Sequence, residues 1–162
     1  MSKEDFIRFQ AQTPPHPLAM EISYAEGTYI YDKNQNKYLD FVAGVSACSL
    51  GHRHPKVVNA IKKQLDSYMH VMVYGEYIQE PALELTQLLA QYLPPHVEKT
   101  YLTNSGTEAI DGALKLARRY TGRSEIIAAH KAYHGNTMGA LSVMGYEERK
   151  QPFRPLLPDV RF

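Results

Sequence analysis

Apolar residues recur at helical spacing in three stretches of this chain, and punctuation residues bound each one. Pro55 opens the first, with Val58, Ile61, Leu65 and Tyr68 defining the face expected to be buried. Pro81 opens the second, in which Leu85, Leu88, Leu89 and Tyr92 recur before Pro94-Pro95 ends it. The third runs from Ser105 to Gly122 with Ile110, Ala113, Leu114 and Ala117 inward, and with Asp111 and Lys115 as an i,i+4 pair on the outer face. Alternating or continuous apolar runs predict strands elsewhere. Thr28 to Asp32 and Lys37 to Phe41 flank the turn Lys33-Asn34-Gln35-Asn36 and read as a hairpin. Thr100 to Leu102 and Glu125 to Ala129 read as short strands, and Met138 to Val143 is apolar again. Ahead of these lie a short helix within Met1 to Gln12 and a stiff linker, Thr13-Pro14-Pro15-His16-Pro17, together forming an arm.

Two loops of small and polar residues carry the candidate chemistry. Thr103-Asn104-Ser105-Gly106-Thr107-Glu108-Ala109 joins a predicted strand to a predicted helix. The first N–H groups of a helix have no intrahelical partner and lie at the positive end of its dipole, so a loop bare of bulk there suits a phosphate. Ser105 and Thr107 add hydroxyls. Ser105-x-x-Glu108 is equally a capping box, which explains the serine and the glutamate without a ligand. The loop matches neither the P-loop nor the dinucleotide fingerprint. The second loop, Tyr133-His134-Gly135-Asn136-Thr137, follows the predicted strand Glu125 to Ala129. In a β-α-β unit the loops after both strands fall on one edge of a parallel sheet, where ligands of such sheets bind. Tyr133 is then placed to lie against a flat heteroaromatic ligand, or else serves as an ordinary loop tyrosine with His134 as a hydrogen-bonding neighbour.

The ordered set Gly51-His52-Arg53-His54-Pro55, Ser105-Gly106-Thr107-Glu108-Ala109, Ala113 to Arg118 and Tyr133-His134-Gly135 resembles the class III aminotransferases, pyridoxal-phosphate enzymes of fold type I. Gly27 to Asp40 resembles that family's N-terminal hairpin, and the likeness runs from about Pro17 onward. The resemblance implies an α/β fold. An N-terminal arm and hairpin segment over 1–54 would be followed, over 55–162, by the start of a large domain built on a mostly parallel sheet with flanking helices.

By the same resemblance Ser105, Gly106 and Thr107 hold the phosphate of pyridoxal 5'-phosphate, Tyr133 stacks on its pyridine ring and His134 sits beside that ring. Val45, Ser46 and Asn136 approach the substrate, and a homodimer with shared active sites is implied. The expected reaction moves an amino group from an amino-acid or ω-amino donor to a 2-oxo acid. The family's Schiff-base lysine and the acid that pairs with the pyridine nitrogen lie further along than Phe162. No catalytic residue is therefore assigned within this segment, which reads as an N-terminal part inactive by itself. Many acetylornithine, ornithine and 4-aminobutyrate relatives carry arginine where this chain has Asn136, and a neutral amide cannot form that residue's bidentate ion pair with a carboxylate. The donor is accordingly left open. An aminomutase or decarboxylase on the same scaffold, a non-catalytic phosphate-binding module, and an interaction surface built on the tyrosine-rich stretch Tyr68 to Tyr77 are the alternatives.

Composition narrows the classes. With 162 residues, 44% of them apolar and 22% charged, the chain is long enough for a packed domain. A net charge of +1 with scattered basic residues predicts neither a nucleic-acid nor a membrane partner, and no apolar run approaches the ~20 residues of a membrane span. The single cysteine, Cys48, excludes an intrachain disulfide, so a reducing cytoplasm is expected. His52 and His54 have the spacing of a metal pair but sit at a helix entrance without an evident third ligand, so no metal site is assigned.

Overall fold

The computed structural model describes residues 3–72 and 74–162. Positions 1, 2 and 73, which fall in the expected N-terminal helix and the tyrosine-rich stretch, lie outside the described residues. The chain divides into two compact units, one up to Tyr77 and the other from Ile78.

The first unit begins with helix α1 (Lys3–Phe9) and an antiparallel meander of β1 (Ile22–Glu26), β2 (Tyr29–Asp32) and β3 (Lys37–Leu39). The hairpin expected from the alternating pattern is β2–β3, with Ile30 opposite Tyr38. Strand β1 is an addition to it; its Tyr24 stacks on Tyr31 of β2 with ring centroids 4.4 Å apart. Asp32 fixes the turn. Its carboxylate accepts from the N–H of Asn34 at 2.8 Å, the N–H of Asn36 at 2.9 Å, the Asn36 amide at 2.9 Å and the Tyr38 hydroxyl at 3.0 Å. These donors, led by the Asn36 side chain, hold the Asp32 carboxyl below its ordinary range. A depressed carboxyl stabilises the fold above its unfolded value of about 3.9 and loses that contribution as pH falls through the folded value. The Asp32 carboxyl-carbon resonance should therefore titrate with a midpoint below about 3.9, and the Asn34 and Asn36 amides should lose protection in the same step. A midpoint at or above that value would contradict the turn as described.

After β3 the chain enters α2 (Ala43–Ser46), a single turn wound left-handed: Ala43, Gly44, Val45 and Ser46 all have positive φ, between 48° and 67°. The left-handed region costs an L-residue roughly 1–2 kcal/mol, and Val45 is β-branched, so local preference does not select this turn. Asp40 holds its entrance, with Oδ1 accepting from the N–H groups of Val42 and Ala43 at 3.0 and 2.9 Å. Its Oδ2 accepts from His52 Nε2 at 2.7 Å. His52 is itself pinned by reciprocal backbone hydrogen bonds with Gly27, of 2.7 and 3.0 Å. Helix α3 (Pro55–Leu65) closes the unit with its proline in the first turn, as the sequence predicts, but Ile61 and Leu65 stand more than half exposed.

The second unit holds α4 (Glu80–Tyr92), α5 (Gly106–Thr121), β4 (Ile126–Ile127), α6 (Met138–Ser142), α7 (Glu147–Lys150) and β5 (Val160–Arg161). Gly122, left-handed at φ 69°, ends α5 where expected. Strands β4 and β5 pair in parallel, Ile126 opposite Val160. The partner of β4 is thus β5, from beyond the second loop. Among the described residues Thr100–Leu102 pairs with no strand, and Tyr101 is 85% exposed, because an apolar run without a ladder partner gains nothing from extended pairing. The core of this unit lies in and just after α6, where Ala140, Leu141, Val143 and Met144 are buried. Ser142 joins it by donating to the Met138 carbonyl at 2.6 Å and accepting from the Leu157 N–H at 3.0 Å. Beside that core the buried Lys150 places its ammonium 3.9 Å over the Phe162 ring and 3.3 Å from Glu147. No helix among the described residues is long and apolar enough to cross a membrane.

Candidate functional site

Helix α5 starts at a cap of the kind the sequence announces. Ser105 is extended, at φ −155° and ψ 158°, and its Oγ accepts from the Glu108 N–H at 3.3 Å. Glu108 reaches back to accept from the Asn104 N–H at 3.0 Å, one residue ahead of the cap. The capping reading of Ser105 and Glu108 is therefore realised in the structure. It leaves two donors over: among the described residues the N–H groups of Gly106 and Thr107 make no hydrogen bond. A Cβ built on Gly106 meets nothing within 4 Å, so packing does not demand glycine there, and its bareness leaves space beside those two donors.

The second loop is brought against this helix start by α6. Gly139 of α6 faces Asp111 of α5 so closely that a Cβ at 139 would lie 2.9 Å from the Asp111 carboxyl carbon. Asp111 is consequently half-buried between the helices, and among the described residues it forms no ion pair with Lys115, contrary to the outer-face pair the spacing predicts. At the base of the loop Gly145 donates to the Ala132 carbonyl at 2.8 Å and accepts from the Lys131 N–H at 3.3 Å. These bonds fix the backbone just before Tyr133. At its crown Gly135 has φ +125° and is buried against Thr107, whose Cα lies 2.9 Å from where a Cβ would stand.

The two loops enclose an open cleft of about 600 Å³ lined by Gly106, Thr107, Ala109, Ile110 and the segment Tyr133 to Asn136. That size lies within the range of small-molecule sites. The structure thus unites Gly106, Thr107, Tyr133, His134 and Asn136 around one space, with Ser105 as the cap beside it. Tyr133 is 60% exposed, with the Arg149 guanidinium 5.8 Å from its ring centroid. Two participants escaped the sequence reading. Thr137 bonds to the Thr107 side chain from the far end of the loop, and Ile110 supplies apolar wall from the helix stripe. A threonine ahead of an apolar run was a legible cap signal for Thr137, but its partner 30 residues away was not.

Val45 and Ser46 belong to the first unit, on the left-handed turn, and are exposed there. The histidine pair separates: His52 bonds to Asp40, whereas His54 stands at the N-cap position of α3 without a side-chain capping bond, its Nδ1 buried and unpartnered. Among the described residues no group of histidine, cysteine and carboxylate side chains is arranged to hold a metal ion.

The model of the family described as aminotransferase class-III matches residues 10–162. Among curated proteins, an acetylornithine aminotransferase from Clostridium acetobutylicum is 44% identical over 142 residues, covering 84% of this chain and 36% of its own length. Among solved structures, the adenosylmethionine-8-amino-7-oxononanoate aminotransferase of Methanocaldococcus jannaschii is 30% identical with a TM-score of 0.88, covering 98% of this chain and 39% of its own. A taurine:2-oxoglutarate aminotransferase from Bifidobacterium kashiwanohense, solved with PLP and glutamate, is 29% identical at a TM-score of 0.82, covering 97% of this chain and 36% of its own. The chain therefore spans well under half the length of the relatives it matches.

Proposed function

This chain belongs to the class III aminotransferase family, and from that premise we propose that its cleft binds pyridoxal 5'-phosphate in a protein that transfers amino groups from an amino-acid or ω-amino donor to a 2-oxo acid. The observation that carries the reading is the pair of unpartnered N–H groups on Gly106 and Thr107, at a helix start opening into a cleft that Tyr133 overlooks. The helix dipole and these donors suit a phosphate dianion, while the Tyr133 ring offers a face to a flat pyridine. His134 is half-buried in the same wall and would sit beside the ring. When bound, the cofactor supplies an electron sink for the carbanion generated at the amino donor. The residues of this chain would hold it, orient its ring and shield one face.

Substrate contact is assigned to Val45, Ser46 and Asn136. Backbone held in an unfavourable conformation is concentrated at functional positions, which supports the first two. Asn136 lies exposed at the cleft and offers an amide donor and acceptor pair without charge, so it suits a polar substrate group better than it anchors a carboxylate. A homodimer with shared sites fits the exposed apolar residues of each helix, Ile61 and Leu65 on α3 and Leu85 and Leu88 on α4. A cytoplasmic setting fits the single unpaired cysteine, Cys48.

Gly106→Leu tests the reading directly. Open space around Gly106 means the fold should accept the larger side chain, while the cleft beside the two donors should not. The full-length protein should keep its melting temperature and lose at least about tenfold in pyridoxal-phosphate affinity by absorbance titration. Unchanged affinity would remove the phosphate assignment from this loop.

A further inference from the structure

Thr107 and Thr137 meet across the base of the cleft from positions 30 residues apart. Their hydroxyl oxygens are 2.7 Å apart, and the Thr137 N–H donates to Thr107 Oγ1 at 3.2 Å. A threonine hydroxyl has one donor and two acceptor positions, so two of the three on Thr107 are committed to Thr137. Thr137 occupies the N-cap of α6, where a threonine ordinarily bonds an N–H of its own helix. Here it makes no such bond; its hydroxyl is turned across the loops to Thr107 instead. Gly135, buried against Thr107, removes the side chain that would otherwise hold the two loops apart.

We propose that Thr137 is a positioning residue that clasps Thr107 and so sets the span between the phosphate end of the cleft and the ring end at Tyr133. The inference rests on the cofactor reading above. A ligand that carries a flat ring and a phosphate on one rigid frame occupies both ends at once only when their separation is right. The second contact is then intramolecular, and its gain depends on geometry. Inorganic phosphate needs one end alone and is indifferent to the span. On this account the Thr107 hydroxyl serves the clasp, and its N–H serves the phosphate.

Thr137→Val keeps the shape and removes the hydroxyl, and Thr137→Ser restores the hydroxyl. In full-length protein freed of cofactor, Thr137→Val should weaken pyridoxal-phosphate binding about tenfold while changing inorganic-phosphate binding, measured by competition, less than about twofold. Thr137→Ser should return cofactor affinity to near the parent value. Equal weakening of both ligands would show a general loosening of the loop and overturn the clasp, as would a Thr137→Val protein with parental cofactor affinity or a Thr137→Ser protein as weak as the valine variant. Parent protein that binds inorganic phosphate but not pyridoxal phosphate would overturn the cofactor reading first and the clasp with it, and that is visible before any variant is made.

Discussion

Gly135→Ala is expected to abolish cofactor binding at concentrations that saturate the parent protein, with a loss of roughly 100-fold or more. The methyl group has nowhere to go. Its carbon would fall within the Thr107 side chain and 2.9 Å from the Thr107 Cα, and Thr107 sits in the first turn of α5 and cannot retreat without unwinding it. A φ of +125° adds backbone strain that an alanine bears and a glycine does not. Strain of that kind costs about 1–3 kcal/mol, and overpacking against a fixed backbone costs about as much again. The loop is expected to relieve both by lifting off α5, which widens the cleft and carries Tyr133 away from the helix start. Cofactor titration reads the loss, and a melting curve distinguishes a lifted loop, with a modest shift, from an unfolded unit. Gly112→Ala is the matched control, because it lies on α5 away from the cleft lining and a Cβ there meets nothing within 4 Å. Parental affinity in Gly135→Ala would mean that the loop does not close on Thr107 as described.

Met144→Ala is expected to destabilise the protein by about 2–5 kcal/mol. Met144 is 1% exposed and is the largest fully buried side chain among the described residues, within a short core otherwise made by Ala140, Leu141 and Val143. Removing its side chain leaves a void, and neighbours hydrogen-bonded through Ser142 to Met138 and Leu157 are poorly free to collapse into it. Denaturant unfolding at fixed protein concentration measures the change, and Met138→Ala, at an exposed position, should stay within about 1 kcal/mol of the parent. A loss below about 1 kcal/mol at Met144 would show that the core repacks freely. Because this core directly follows the second loop, its loosening should also blunt cofactor binding, though less than Gly135→Ala does.

Punctuation was legible in the sequence because each punctuating residue acts locally. Pro55 and Pro81 fall in the first turns of α3 and α4, Ser105 caps α5, and Gly122 ends it in the left-handed region only glycine enters freely. The composition of the cleft was legible for the same reason, since Gly106, Thr107 and Tyr133 to Asn136 lie in two contiguous loops. What escaped depends on partners distant in sequence. Strand β4 looks to β5, not to Thr100–Leu102, and a run of three residues carries no record of its partner. Asp111 reads as solvent-facing by its spacing with Lys115, yet Gly139 of α6 comes to rest on it. The left-handed turn escaped because Ala43, Val45 and Ser46 all argue against it, while the Asp40 bonds that hold its entrance depend on His52, twelve residues away.

That turn has a chemical consequence. Four successive residues, Ala43 to Ser46, have positive φ, the sign natural to mirror-image amino acids. In a chain assembled by chemical ligation, D-alanine at 43 would take this sign of φ without the penalty an L-residue bears, so inverting stereochemistry at that position should reinforce the segment. The Asp40–His52 anchor would then be partly redundant. A semisynthetic protein would show whether nature's device here is the left-handed shape itself or the stored tension that an L-chain must carry to reach it.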